Sequence, residues 1–185
     1  ISISGGDTTT SKKLIITVIV LGMTNKFPVL RKGCSINDDI YVTGNIGDSF
    51  LGLNILKKKL NFGKFNSFFI KKYYEPDLQI YFSSFLKSIA TSSIDISDGL
   101  VNDLKHICTS SNCGALIDVN LIPISKKCKL LIAQKKISIG KIFSKGDDYQ
   151  IIFTSKYNNR KKINFLKKKT NTKITRIGMI TKDRN

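Results

Sequence analysis

Residues 92–107 read SSIDISDGLVNDLKHI. Ile94 and Ile96 alternate with Asp95 and Ser97, so a strand here turns its two isoleucines to a core and the other pair to the opposite face. Asp98 and Gly99 break the alternation. Behind them Leu100, Val101, Leu104 and Ile107 fall at helical spacing. The change of period predicts a strand over 93–96 running into a helix over 98–110. Two carboxylates and a hydroxyl at a strand-to-helix junction, beside backbone N–H groups, suit Mg²⁺ with a phosphate. The same residues also suit a plain helix cap by Ser97 or Asp98.

Outward from this unit, strands and helices alternate. The apolar run 14–22 (LIITVIVLG) predicts a buried strand, and 39–43 (DIYVT) a short one leading into Gly44-Asn45-Ile46-Gly47-Asp48. Asp48 is placed to cap a helix over 49–59, and 61–67 reads as a loop. Glu75-Pro76-Asp77 signals the start of a helix carrying Leu78, Ile80, Tyr81, Phe82, Phe85, Leu86 and Ile89. Further strands are predicted at 115–119, 150–154 and 172–180, and helices within 125–134 and over 158–169. The fold class is α/β, an α+β sandwich with a mixed sheet and helices packed on it.

Composition narrows the function classes. With 185 residues, 41% of them hydrophobic, the chain is long and apolar enough for a real core. Its longest apolar run falls far short of the ~20 residues a membrane-spanning helix needs. The first residues carry no charged region of a signal peptide, so a cytoplasmic setting is expected. A net charge of +18 raises the question of nucleic acid. Yet 27 of the 31 basic residues are Lys and only Arg31, Arg160, Arg176 and Arg184 are Arg. Arg reads bases and grips phosphates bidentately. Lys, Ile and Asn share A/T-rich codons, so compositional drift accounts for much of the charge, and a nucleic-acid partner is not expected. Cys34, Cys108, Cys113 and Cys128 form no CxxC pair and read as free thiols. His106 is the single histidine, which excludes any mechanism built on an imidazole pair.

Two more small clusters carry chemistry-bearing side chains. Gly5-Gly6-Asp7-Thr8-Thr9 lets backbone approach a ligand closely and offers a carboxylate for a metal or phosphate; it also suits a simple turn. Ser144-Lys145-Gly146-Asp147-Asp148-Tyr149 places adjacent carboxylates before a strand, for a cationic ligand or a polar turn.

Taken in order, GGDTT, LRKGC, DIYVTGNIGDSFLGLNIL, SSIDISDGLVNDLKHI, SKGDDYQIIF and ITRIGMI resemble the thiamine-monophosphate kinase family over nearly the whole chain. That family sits in an ATP-binding superfamily with aminoimidazole ribonucleotide synthetase and selenophosphate synthetase. The resemblance implies Mg²⁺-dependent transfer of the ATP γ-phosphate onto thiamine monophosphate, in a cytoplasmic homodimer. Carried over by motif, Gly6 and Asp7 match nucleotide contacts, Arg31 an ATP-binding arginine and Ser97 another ATP contact. Asp7, Asp95 and Asp98 match metal ligands. Asp147 stands where the family has a Glu on the thiamine substrate, one methylene shorter here. The resemblance further implies that residues 1–22 end a first domain whose remainder carries more acidic ligands, and that 23–185 form most of a second. On that reading the chain alone holds an incomplete site and is inactive. Another acceptor within the superfamily, a basic nucleic-acid-binding module and a decayed gene product are the alternative readings.

Overall fold

The computed structural model describes residues 2–23 and 27–183; Ile1 and Arg184 lie outside them. Five strands form one sheet: β1 (Asp39–Thr43), β2 (Ser92–Asp95), β3 (Gly114–Ile117), β4 (Ile151–Ser155) and β5 (Ile174–Thr181). Their order is β2-β4-β1-β5-β3, and every ladder is antiparallel. The helices are α1 (Asp48–Leu56), α2 (Asn66–Tyr74), α3 (Ile80–Ser83), α4 (Leu100–Ser111), α5 (Lys126–Ala133), α6 (Ile139–Phe143) and α7 (Arg160–Lys169).

Period-2 geometry sends neighbouring side chains of the inner strands to opposite faces, and each face builds its own core. On one, Ile40, Val42 and Ile152 meet Leu51 of α1, Leu100, Leu104 and Ile107 of α4, and Leu131 of α5. On the other, Tyr41 and Phe153 meet Phe82, Leu86, Ile89 and the α7 pair Ile163 and Leu166. The Tyr41 and Phe153 rings stack at 5.1 Å, with Phe82 5.6 Å from Phe153. A bulge adds one residue to β5: Tyr41 pairs with Arg176, but Ile40 pairs with Gly178. The extra residue flips the face presented by the second half of the strand, so Ile174 joins the Tyr41 core and Ile177 and Ile180 the other. Asp39 ties these layers together, accepting from Arg160 at 2.6 and 2.7 Å and from Arg176 at 3.1 Å. Burial alone would raise its pKa; the two guanidiniums outweigh that and hold it below the usual carboxylate range.

The strands over 39–43, 93–96, 115–119, 150–154 and 172–180 are present to within two residues. The run 14–22 is a correction. It forms no strand, and every described residue from 2 to 23 is exposed. A β-branched run becomes a strand only beside a partner, and among the described residues none pairs with it. The helix expected after Glu75-Pro76-Asp77 is also cut short, to α3 and a 3-10 turn at Leu86–Ser88. The hydroxyls of Ser83, Ser84 and Ser88 donate to the carbonyls of Ile80, Tyr81 and Phe85, competing with the helical ladder. Part of the expected 61–67 loop is helical, since α2 begins at Asn66, and α6 was not anticipated. Among the described residues no helix is long and apolar enough to cross a membrane.

Phe153 is wholly buried between both ring partners. Phe153→Ala should cost about 3–5 kcal/mol of stability in urea denaturation. A loss under about 1 kcal/mol would contradict the two-core description.

Candidate active site

β2 is an edge strand, and its end carries the acidic turn. Ile94 and Ile96 are buried, Asp95 is exposed and Ser97 half-buried, as the alternation requires. Beyond the formal strand the ladder continues: Ile96 N–H donates to Gln150 O at 2.7 Å, Tyr149 N–H to Ile96 O at 2.9 Å and Asp147 N–H to Ser97 O at 3.0 Å. The turn 97–99 therefore lies directly on the 144–147 loop. Only glycine fits at two points of this contact. A Cβ on Gly146 would stand 1.7 Å from Ser97 O, and Gly99 has φ +117 with Lys145 N against it.

Neither Ser97 nor Asp98 caps α4. The acceptor is Asp103, in the helix's first turn. Its Oδ2 takes the N–H groups of Ser97 at 3.1 Å and of Asp98 and Gly99 at 3.0 Å each. These three N–H groups are thus bonded within the fold, and the first N–H groups of α4 itself, those of Leu100, Val101 and Asn102, are not among them. Asp103 is 1% exposed; burial raises its pKa despite the three donors, and Asp98 raises it further. The sequence reading did not single out Asp103. Its signal was an acid in the first turn after a Gly, where a carboxylate meets free N–H groups.

The turn presents Asp95 and Asp98 outward as exposed carboxylates. Asp98, Asp103 and His106 each bring a ligand atom to within 4.8 Å of the others. The two carboxylates of this cluster offer the oxygen donors that Mg²⁺ takes and His106 a nitrogen; Asp95 is not in it. Beside them Asp98, Asn102, Lys105, His106, Ser144 and Lys145 line an open groove of about 640 Å³. Its two lysines next to a carboxylate give one wall that attracts an anion and one that attracts a cation.

Arg31 is exposed, and its neighbour Leu30 accepts through its carbonyl from Ser93 N–H at 2.9 Å, which sets Arg31 alongside β2. Asp147 is half-buried with φ +68, across the backbone contact from Ser97. Gly6 and Asp7 are exposed in the 2–23 segment, away from the turn's hydrogen bonds; Asp7 accepts from its neighbour Thr8 N–H at 2.8 Å. The structure thus puts the backbones of Ser97 and Asp147 in contact at the end of β2 and the neighbour of Arg31 on the outer side of that strand, with no contact to Gly6 or Asp7 among the described residues.

Asp148, the second carboxylate of its pair, points the other way and is buried. It accepts from Gly47 N–H at 2.7 Å and Ser49 N–H at 3.2 Å, which makes it the anion at the start of α1. The cap expected of Asp48 falls to Asp148 instead, because Asp48 is turned to Ser125 Oγ at 2.7 Å. Burial pushes Asp148 up to about 7 and Asp48 up to about 6.

A sheet of this kind with helices packed on it is the aminoimidazole ribonucleotide synthetase-like fold. No family model matches the chain. Among curated proteins, the thiamine-monophosphate kinase of Buchnera aphidicola subsp. Schizaphis graminum is 41% identical over 186 residues, 98% of this chain and 56% of that protein. Among solved structures, the thiamine-monophosphate kinase of Stenotrophomonas maltophilia superposes with a TM-score of 0.77 at 27% identity, over 85% of this chain and 51% of that one. A structure described as AaThiL complexed with AMPPCP and TMP gives 0.72 at 27% identity, over 85% and 49%. The proteins this chain resembles along nearly all its length are thiamine-monophosphate kinases. The chain spans about half the length of the curated relatives it matches.

Carboxylates raised by burial hold protons that the unfolded chain has already released above about pH 4, so their share of stability falls as pH rises from about 4 to about 7. Asp148→Asn should flatten that fall, measured as urea midpoints across the window. A variant whose stability drops as steeply as the parent's would contradict the assignment.

Proposed function

We propose that the protein of which these residues are part transfers the γ-phosphate of ATP to the phosphate of thiamine monophosphate, giving thiamine diphosphate and ADP. The observation that carries this reading is the turn at 95–98, with two exposed carboxylates of which Asp98 lines a lysine-bearing groove, in a chain similar throughout to thiamine-monophosphate kinases. The structure of a relative complexed with AMPPCP and TMP supports the same pair of substrates.

The chemistry asks little of side-chain bases. A phosphate monoester has a second pKa near 6, so the acceptor is an anion at neutral pH and needs no general base. The barrier is repulsion between two polyanions, and bound Mg²⁺ supplies the charge that offsets it. Asp95 and Asp98 would hold the metal, joined by Asp7; Ser97, Gly6 and Arg31 would contact ATP, Arg31 gripping a phosphate as a fork. Asp147 would face the thiamine moiety. We take residues 1–22 as the end of one domain and 23–185 as most of a second, with further acidic ligands supplied from outside this chain. On this reading the 185 residues alone are inactive, and the complete protein is a cytoplasmic homodimer.

Assayed on the full-length protein, thiamine monophosphate should be phosphorylated only with ATP and Mg²⁺. Asp95→Asn or Asp98→Asn should cut turnover by roughly a hundredfold or more. Turnover retained in both variants would remove the metal assignment. ATP consumption with no use of thiamine monophosphate would point to a different acceptor.

A further inference from the structure

Three successive backbone N–H groups, of Ser97, Asp98 and Gly99, converge on one point at the start of the twelve-residue α4. Convergent N–H groups at a helix start ordinarily attract phosphate or another oxyanion. Here that point holds Asp103 Oδ2, from one turn further along the same helix.

We infer that Asp103 is the positioning residue of the Asp95–Asp98 turn: by filling the backbone anion site with its own carboxylate, it leaves the turn to face a cation rather than a phosphate. The inference deepens the proposed function and rests on its reading of Asp95 and Asp98 as metal ligands. With the three N–H groups taken, the exposed side chains of the turn are the carboxylates of Asp95 and Asp98. The conformation is held from both sides. Asp103 fixes the N–H groups, while Ser97 O receives Asp147 N–H and leaves no room for a side chain at position 146. The path of the chain between the two aspartates is thereby set from beneath, by a residue that is itself buried. A phosphate brought to this edge is then recruited through cations, namely the metal with Lys105 and Lys145, and not by the N–H groups of Ser97, Asp98 and Gly99.

Asn keeps an acceptor oxygen of the same reach without the charge; Ala removes the acceptor. The test is amide hydrogen exchange and NMR on the full-length protein and its Asp103→Ala and Asp103→Asn variants, probed with Mn²⁺ alone and with inorganic phosphate alone. In Asp103→Ala the amides of Ser97, Asp98 and Gly99 should exchange about tenfold faster or more while those of Ile40 and Ile152 hold. The same three amides should gain phosphate-dependent shifts without metal, and Mn²⁺ broadening at Asp95 and Asp98 should weaken. Asp103→Asn should keep both the protection and the broadening. Unchanged protection in Asp103→Ala, or phosphate shifting these amides in the parent protein, would overturn the inference. If Asp103→Ala does not fold, Asp103→Asn decides: broadening lost with the amides still protected would show that charge and not position is at work. A parent protein with neither turnover nor Mn²⁺ broadening would sink the proposed function, while the exchange data would still decide what Asp103 does to the turn.

Discussion

Backbone N–H groups that leave a sheet must find acceptors, and where the chain passes from β2 into α4 one carboxylate oxygen serves three of them. Much of the site follows from that constraint. An acceptor from within the helix lets the turn close tightly over Gly99, and the tight turn lets the 144–147 loop lie against it, backbone on backbone. Two loops distant in sequence thus share one edge of the sheet, with Asp95, Ser97 and Asp98 on one and Asp147 on the other. Asp148 repeats the device at the start of α1, where it takes the Gly47 and Ser49 N–H groups. Both carboxylates are buried and take backbone N–H groups; Asp148 adjoins Asp147, and Asp103 bonds the N–H groups of Ser97 and Asp98, all residues that the motif resemblance assigns to ligand binding.

How much of this was legible in the sequence depends on how local the cause was. The strands at 39–43 and 93–96 and the helices within 98–110 and 125–134 follow from period and from a breaking Gly, and they stand nearly where expected. The run 14–22 has the composition of a buried strand, but composition says nothing about a partner, and its side chains are exposed. The segment behind Pro76 has enough apolar residues for a long helix; the serines at 83, 84 and 88 spend their hydroxyls on the carbonyls that would sustain it. The bulge in β5 is invisible in ITRIGMI, since it exists only relative to the register of β1.

The site was legible as residues and not as roles. The acidic cluster at 95–98 could be read either as a metal or phosphate site or as a helix cap, and neither cap proposed from sequence forms as expected. No side chain caps α4, where Ser97 or Asp98 was expected to, and Asp103 instead takes the N–H groups of the turn before it; Asp148 caps what Asp48 was expected to cap. At α1 the nearest Asp in sequence was outcompeted by one that tertiary structure brought to the donors, whereas Asp103 lies only four to six residues from the groups it takes. The composition reading fares differently. The +18 charge is spread through lysines such as the exposed run 167–169 on α7 and those at 57–59, which are solvated surface.

The central claim is that the 95–98 turn faces a divalent cation. It is tested most directly by anomalous diffraction from crystals of the full-length protein grown with Mn²⁺ and a non-hydrolysable ATP analogue. The account predicts manganese within about 2.0–2.3 Å of a carboxylate oxygen of Asp95 or Asp98, with the Ser97–Gly99 N–H groups still on Asp103. Manganese elsewhere, with a phosphate seated on those three N–H groups, would contradict it.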